Sequence, residues 1–306
     1  MRRTGWPLLL SRIPAGAWAV VMGSGIVSVD LAVIGQVILS GVLLWFAVAV
    51  WVLLLVRLLS SASRLRQEFR APAILGGVAG TAVLGTRFAV QGDEFLAAVL
   101  LVVAALWLAA ALPPVIRHWQ TPATGTSFLL SVAFQGISVL CATLAVAGRV
   151  SWLIYVAIAA CAAGLACYVI IAWQFDRREL GAGAGDHWVA GGAVAISTLA
   201  AGKITLGARF WLGAFAEVTL ALWCLAMIWL LVLVASELRK PRLGYDVRRW
   251  ATVFPVGMFA ACSFVTGQVS GLSGITAFAR AWTWVALAVL VIVLTGLVRS
   301  LVLAGK

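Results

Sequence analysis

Residues 72–91 read PAILGGVAGTAVLGTRFAVQ, and residues 94–116 read EFLAAVLLVVAALWLAAALPPVI. Each stretch has about the length of a helix that crosses a bilayer, which takes roughly 20 apolar residues. The first stretch is rich in glycine and threonine, whereas the second has no glycine and consists mainly of Leu, Ala and Val. The pair predicts two membrane-spanning helices joined by a short polar turn, the first suited to close packing against other helices.

The composition of the whole chain agrees with this local pattern. Of 306 residues, 64% are hydrophobic and only 10% are charged, and the mean hydropathy is +1.10. A soluble domain has about a quarter of its residues charged, so the composition excludes a soluble globular protein. Because no polar linker divides the chain, residues 1–306 are predicted to form a single membrane domain.

Outward from the opening pair, apolar stretches of similar length repeat along the chain, each ended by a polar or charged break. They predict an all-α integral membrane protein with ten transmembrane helices. The predicted spans are 15–36, 38–59, 72–91, 94–116, 124–147, 151–172, 187–207, 211–235, 250–271 and 278–300.

The net charge of +12 reflects basic clusters between the spans, not a basic face of the kind that binds nucleic acid. Arg64, Arg66 and Arg70 follow span two, Arg177 and Arg178 follow span six, Arg117 follows span four, and a further cluster follows span eight. Cytoplasmic loops carry the excess of Lys and Arg, so both termini are predicted to be cytoplasmic. Residues 8–10, LLL, are too short an apolar run for a signal peptide before Arg12 and Pro14.

Small and polar residues concentrate in the odd-numbered spans, as Gly23, Ser24 and Gly25 illustrate in span one. Even-numbered spans are nearly all bulky and apolar. Two interpretations fit this alternation. Small residues let helices pack closely; alternatively, five odd helices form an inner ring around a path, because polar groups at membrane depth must be buried or face water.

Three segments resemble the family of bacterial tellurite-resistance and C4-dicarboxylate transporter proteins, which includes the plant slow-type, voltage-dependent anion channels. They are residues 21–28, VMGSGIVS, residues 68–72, EFRAP, and residues 250–258, WATVFPVGM. The resemblance covers almost the whole length. It implies a homotrimer in a bacterial inner membrane, with each protomer built from five helical hairpins around its own pore.

The resemblance also implies a gate, because a phenylalanine of the ninth helix plugs the pore in this family. The matching residue is Phe254, and its neighbour Pro255 favours a helix kink because proline removes a backbone hydrogen bond. Ordinary core packing is the alternative role for Phe254.

A weakly binding lining suits anion passage, because conduction needs binding that permits both uptake and release. The odd spans offer hydroxyl groups, amide groups and glycine backbone. The candidate pore-lining residues are Gly25, Ser28, Gly80, Thr81, Ser131, Gln135, Ser197, Thr198, Gly257 and Ser263.

Four basic residues near the outer ends of spans three, five and seven are candidates for a vestibule that attracts anions. They are Arg87, Arg149, Lys203 and Arg209; alternatively, each extends toward the water at the interface. Lys203 lies inside an apolar span, where placing a charged lysine costs free energy. Its presence there suggests a functional role, and pairing with Glu217 is an equally compatible alternative.

The sequence contains no phosphate-binding loop and no arrangement typical of a catalytic site. Two histidines, His118 and His187, and five cysteines in apolar segments indicate no metal site, and no cofactor is expected. The favoured hypothesis is passage of small inorganic anions or C4-dicarboxylates, including tellurite or sulfite, by a protein that is not an enzyme. A proton-coupled efflux carrier for oxyanions or toxic compounds is the alternative, and a membrane-embedded lipid enzyme is the third hypothesis.

Overall fold

The computed structural model describes residues 14–148, 150–182, 185–208, 212–241 and 244–304. Within these ranges the fold is all-helical, at 86% helix, and contains no β-strand. One isolated backbone bridge joins Ala123 to Phe175 on the face where the basic loops lie.

Ten long helices follow the order of the predicted spans. They are α1 Trp18–Val33, α2 Val37–Leu59, α3 Leu75–Val90, α4 Glu94–Arg117, α5 Leu129–Ala147, α6 Leu153–Gln174, α7 Trp188–Gly207, α8 Leu212–Arg239, α9 Trp250–Ser270 and α10 Ser273–Ala304.

Nine of these helices, counted within the described ranges, are long and apolar enough to cross a membrane. The remaining helix, α1, has 16 residues and is preceded by a 3-10 turn at Ala15–Ala17. A multi-pass membrane protein is therefore confirmed. A short helix, Ala62–Glu68, follows α2, and its Glu68 forms a buried ion pair with Arg57 at 2.7 Å.

Several helix ends differ from the predicted spans. α1 ends at Val33 and not at 36, because the chain turns at Gly35 with a φ of +82° that glycine adopts readily. α8 continues to Arg239, since the residues ASELR favour a helix beyond the apolar stretch. α10 begins at Ser273 and not at 278, directly after the left-handed Gly271 ends α9.

Burial alternates between odd and even helices. In α3, α5, α7 and α9, between 83% and 89% of the residues in the apolar stretch of 18 residues are buried. In α1, every residue from Val20 to Leu31 is buried. In the five even helices the buried share lies between 22% and 33%. Of the five cysteines, Cys141, Cys161 and Cys262 are buried, Cys167 is half-buried and Cys224 on α8 is exposed.

The buried helices contact one another in sequence. α1 packs on α3, α3 on α5, α5 on α7, α7 on α9, and α9 returns to α1. Each even helix packs mainly on the odd helix before it. Polar groups of the odd helices therefore lie inside the protein, away from the surface that lipid would cover.

Two glycines bring α9 close to its neighbours near Phe254. A Cβ atom on Gly192 of α7 would lie 2.8 Å from the Pro255 ring, and one on Gly23 of α1 would lie 2.9 Å from Val253. Because real Cβ atoms do not approach so closely, the absence of a side chain at these two positions permits the contact.

Candidate functional site

Two cavities lie between the five buried helices, one toward each end of the bundle. The cavity nearer the links that follow the odd helices, here called the Asp30 cavity, has a volume of about 110 Å³. Each buried helix contributes to its wall. Asp30, Thr86, Gly136, Lys203 and Gln268 line it from α1, α3, α5, α7 and α9 respectively.

The second cavity, here called the Phe254 cavity, faces the basic loops and has a volume of about 60 Å³. Met22, Gly76, Leu129, Val189 and Phe254 line it from the same five helices. The two cavities therefore share one set of helices and lie at successive levels along them.

Phe254 lies at the junction of the two levels. It lines the second cavity, and Met258, one helical turn further along α9, lines the first. The Phe254 side chain is only 1% exposed. α9 remains α-helical through Pro255, where the indole of Trp282 donates a hydrogen bond to the Val256 carbonyl at 3.1 Å.

Two ionisable side chains line the Asp30 cavity. Asp30 is fully buried, and neither carboxylate oxygen has a hydrogen-bond partner in the described part of the chain. Lys203 is partly exposed, and the alternative that it pairs with Glu217 is wrong for this structure. Glu217 lies exposed on α8, and the described residues contain no ion pair between the two.

Arg87 has a different environment from the predicted vestibule. Its guanidinium is buried and donates to Ser28 Oγ at 3.1 Å, to Ser40 Oγ at 2.9 and 3.0 Å, and to Gln91 Oε1 at 3.2 Å. It thereby joins α3 to α1 and α2. Arg149 and Arg209 lie outside the described residues, so Lys203 alone of the four predicted vestibule residues is seen at a central cavity.

The predicted pore-lining residues face other helices in the structure. Ser131 Oγ donates to the Gly164 carbonyl at 2.8 Å, and Gln135 Nε2 donates to the Cys161 carbonyl at 3.1 Å. Thr81 accepts a bond from the Trp51 indole at 2.9 Å. These inner-helix side chains therefore bind the outer helices.

The other predicted lining residues also lie at helix contacts. Ser263 accepts from the Trp223 indole at 2.8 Å, and Ser28 binds Ser40 on α2. Ser197 and Thr198 donate to carbonyls of their own helix at 2.7 and 2.9 Å. Cβ atoms on Gly25, Gly80 and Gly257 would meet the neighbouring residues Val83, Val21 and Ile26. None of the ten predicted residues lines either described cavity, because their polar atoms and close approaches are used for helix packing.

The residues that line the Asp30 cavity are spaced by helical turns from its two ionisable residues, Asp30 and Lys203. Along α7, Ile196 and Leu199 precede Lys203 at intervals of three and four, and along α1, Ile26 precedes Asp30 by four. Residues at these intervals share a helix face. Stepping back by helical turns from Asp30 and Lys203 would have located this face, whereas choosing small polar residues did not.

The helices and cavities define the class of protein. It is a multi-pass α-helical membrane protein with polar groups enclosed between its buried helices. The model of the voltage-dependent anion channel family, SLAC1, matches residues 12–298. The chain belongs to this family, as its resemblance in three segments predicted. A search of curated proteins finds no match.

Proposed function

We propose that the chain passes small anions across a membrane along the axis of its five odd helices, with Phe254 as the gate. The observation that carries this proposal is the pair of cavities lined by the same five helices on either side of the Phe254 level. Membership of an anion channel family supports anions as the cargo.

The proposed architecture has ten membrane spans arranged as five hairpins, with the odd helices as the inner ring. The circuit of contacts from α1 through α9 and back to α1 supports the ring. α1 and its preceding turn, Ala15–Ala17, together cover residues 15–33, close to the roughly 20 residues that a span needs. Burial of α1 from Val20 to Leu31 is the pattern of the other inner helices.

The lining suits an anion that binds weakly. Thr86 and Gln268 are the uncharged polar residues at the Asp30 cavity, and most of the remaining wall is apolar. Lys203 supplies positive charge there, and with Asp30 protonated no negative charge lines the cavity to oppose it. A lining with one cation and few other donors attracts an anion without holding it, which conduction requires.

The resemblance extends the proposal to the assembly and its setting. We propose a homotrimer in a bacterial inner membrane, each protomer with its own path and with cytoplasmic termini. Chloride, nitrate, sulfite, C4-dicarboxylates and tellurite are the anions to compare. Members of the family are anion channels or transporters, so the hypothesis of a lipid enzyme has no support from it.

The test is a flux panel in liposomes that contain the purified protein. Chloride, nitrate, sulfite, malate and tellurite are supplied in turn, and passive flux down each gradient is compared with protein-free liposomes. We expect at least one of these anions to cross faster with protein present. Flux no faster than in protein-free liposomes for all five would contradict the proposal.

One observation favours the second candidate, a proton-coupled carrier. Asp30 is a buried carboxyl group without a hydrogen-bond partner among the described residues, and it lines the Asp30 cavity. Ionisable groups buried in transporters commonly serve in proton relays. An ionised Asp30 would repel an anion in this cavity, whereas a protonated Asp30 would donate a hydrogen bond to it.

Replacement of Asp30 by Asn separates the two candidates. A coupled carrier loses its response to an imposed proton gradient in Asp30→Asn and retains passive anion flux, because the amide cannot bind a proton. Glu217→Gln is the matched control, since Glu217 is an exposed carboxylate in another span. A gradient response of unchanged size in Asp30→Asn would remove Asp30 from any coupling, and no response in the wild-type protein would favour the channel.

A further inference from the structure

A cleft on the basic face of the protein has features that neither the gate nor the central cavities use. It consists of two adjoining cavities that share Arg70 and His118. One cavity, of about 410 Å³, lies between the short helix Ala62–Glu68 and the end of α4. The other, of about 320 Å³, continues beneath the start of α5. The two together are here called the Arg70 cleft.

The first half of the cleft combines cations with an apolar wall. Arg66, Arg70 and Arg117 line it together with His118. Its other lining residues are Leu65, Phe69, Ala110 and Pro114. Ala110 and Pro114 lie on α4, whose exposed face carries further apolar side chains that would contact lipid.

The second half of the cleft is polar and uncharged apart from the two shared residues. Gln67, Gln120, Thr124 and Ser127 line it. Thr126 lines it as well and also lines the Phe254 cavity, so the cleft borders the proposed path.

The cations of the cleft have no carboxylate partner among the residues that line it. The guanidinium groups of Arg70 and Arg117 form no hydrogen bond or ion pair within the described ranges, and that of Arg66 donates only to the Ala62 carbonyl of its own helix. His118 Nδ1 is 2.8 Å from the Pro114 carbonyl, which leaves Nε2 available. By contrast, Arg57 nearby is neutralised by Glu68. Three guanidinium groups around one cavity, none of them paired with a carboxylate among the described residues, suit an anionic ligand, because Arg binds phosphate with charge-assisted hydrogen bonds.

The apolar wall selects among anionic ligands. A free phosphate ion would satisfy the arginines but would leave the surface formed by Leu65, Phe69 and Ala110 uncovered. A phospholipid satisfies both, with its phosphate at the arginines and an acyl chain along α4. Basic pockets beside membrane helices bind anionic lipid head groups in this way.

We propose that the Arg70 cleft is a binding site for an anionic phospholipid of the phosphatidylglycerol class. The phosphodiester lies among Arg66, Arg70 and Arg117. The acyl chains follow the wall formed by Ala110 and Pro114, and the glycerol hydroxyl groups of the head group face Gln67 and Gln120.

The test measures lipid binding and is independent of transport. The full-length protein is purified, stripped of lipid in detergent, and titrated with phosphatidylglycerol or with phosphatidylcholine of the same acyl chains, and bound lipid is counted by native mass spectrometry. We expect phosphatidylglycerol to bind at least about tenfold more tightly. One basic residue near an anionic lipid contributes roughly fivefold in affinity, so Arg66→Gln/Arg70→Gln/Arg117→Gln should lose on the order of a hundredfold.

Two further variants keep the result interpretable. Arg177→Gln/Arg178→Gln removes two exposed arginines on the same face that do not line the cleft, and should bind lipid as the wild type does. Arg66→Lys/Arg70→Lys/Arg117→Lys retains the charge and should retain most of the preference, which separates loss of charge from loss of fold.

Three results would overturn the proposal. One is equal binding of phosphatidylglycerol and phosphatidylcholine, and another is a wild-type preference in the triple Gln variant. The third is displacement of phosphatidylglycerol by millimolar inorganic phosphate, which would indicate a site for small anions and not for a lipid.

Discussion

Buried hydroxyl groups on the inner helices are mostly used within the protein. Thr86, Thr143 and Thr266 each donate to the carbonyl four residues earlier in their own helix, at 2.8 to 2.9 Å. Such back-bonding satisfies the donor locally. Of these three, Thr86 lines the Asp30 cavity, and its donor is already used, which agrees with the weak binding proposed for an anion there.

Removal of the Phe254 ring should connect the Asp30 cavity with the Phe254 cavity. We expect Phe254→Ala to raise passive anion flux in liposomes by at least about tenfold, equivalent to about 1.4 kcal/mol of barrier. The reason is that Phe254 lines the Phe254 cavity, of about 60 Å³, and lies one helical turn from Met258, which lines the Asp30 cavity. Flux of the anion that the panel identifies is the measurement.

Phe259→Ala is the matched control for that experiment. Phe259 is a fully buried phenylalanine of the same helix, its ring lies against Gly191 of α7, and it lines neither cavity. It should lose stability without a gain in flux. An equal gain in both variants, or unchanged flux in a folded Phe254→Ala protein, would remove Phe254 from the gate.

At the scale of the helix, α3 and α4 show how a glycine-rich span pairs with a bulky one. A Cβ atom on Gly77 would lie 2.4 and 2.5 Å from two ring atoms of Trp107. That indole also packs edge-to-face on Trp18 of α1, with 4.9 Å between ring centroids. One glycine therefore lets a large side chain of the outer helix reach the contact between two inner helices.

We expect Gly77→Ala to lower the free energy of unfolding by about 1–3 kcal/mol, because an added methyl group in a tightly packed core forces the Trp107 ring to move. Thermal unfolding in detergent is the measurement. Gly41→Ala on α2 is the control, since no atom of the described residues lies within 4 Å of its Cβ position. There the gain in helix propensity should stabilise by up to about 1 kcal/mol. Equal stability of the two variants would contradict the packing described for Gly77.

The helices themselves were predictable from sequence, but the faces they present were not. Hydropathy identifies helices such as α4, whose predicted span 94–116 ends one residue before the observed end, because lipid demands long apolar stretches. Glycine and hydroxyl content correctly predicted which helices are buried. It could not tell whether Ser131 faces the axis or the Gly164 carbonyl, since both environments satisfy a hydroxyl group. Only the partner helix decides between them.

At the scale of the whole molecule, charge is divided unequally between the two faces. The links after the even helices and the adjoining helix ends hold most of the basic residues. Those described are Arg64, Arg66, Arg70, Arg117, Arg177, Arg178, Arg239, Lys240, Arg248 and Arg249. The links after the odd helices carry the acidic Asp93 and Glu94 with few basic residues. Since cytoplasmic loops retain Lys and Arg, this asymmetry predicts that the Arg70 cleft and the Phe254 cavity open toward the cytoplasm.

Labelling of single cysteines tests this orientation in a variant whose five native cysteines have been replaced. Gln36→Cys, in the link between α1 and α2, and Arg178→Cys, between α6 and α7, both place an exposed thiol outside the helices that would span the membrane. In intact cells stripped of any outer membrane, a membrane-impermeant maleimide should label Gln36→Cys and should reach Arg178→Cys only after the membrane is permeabilised. The reverse pattern would invert the orientation and place the Asp30 cavity, with Lys203, toward the cytoplasm. Labelling of both thiols in intact cells would contradict an odd number of spans between them, because helices α2 to α6 must carry the chain from one side to the other.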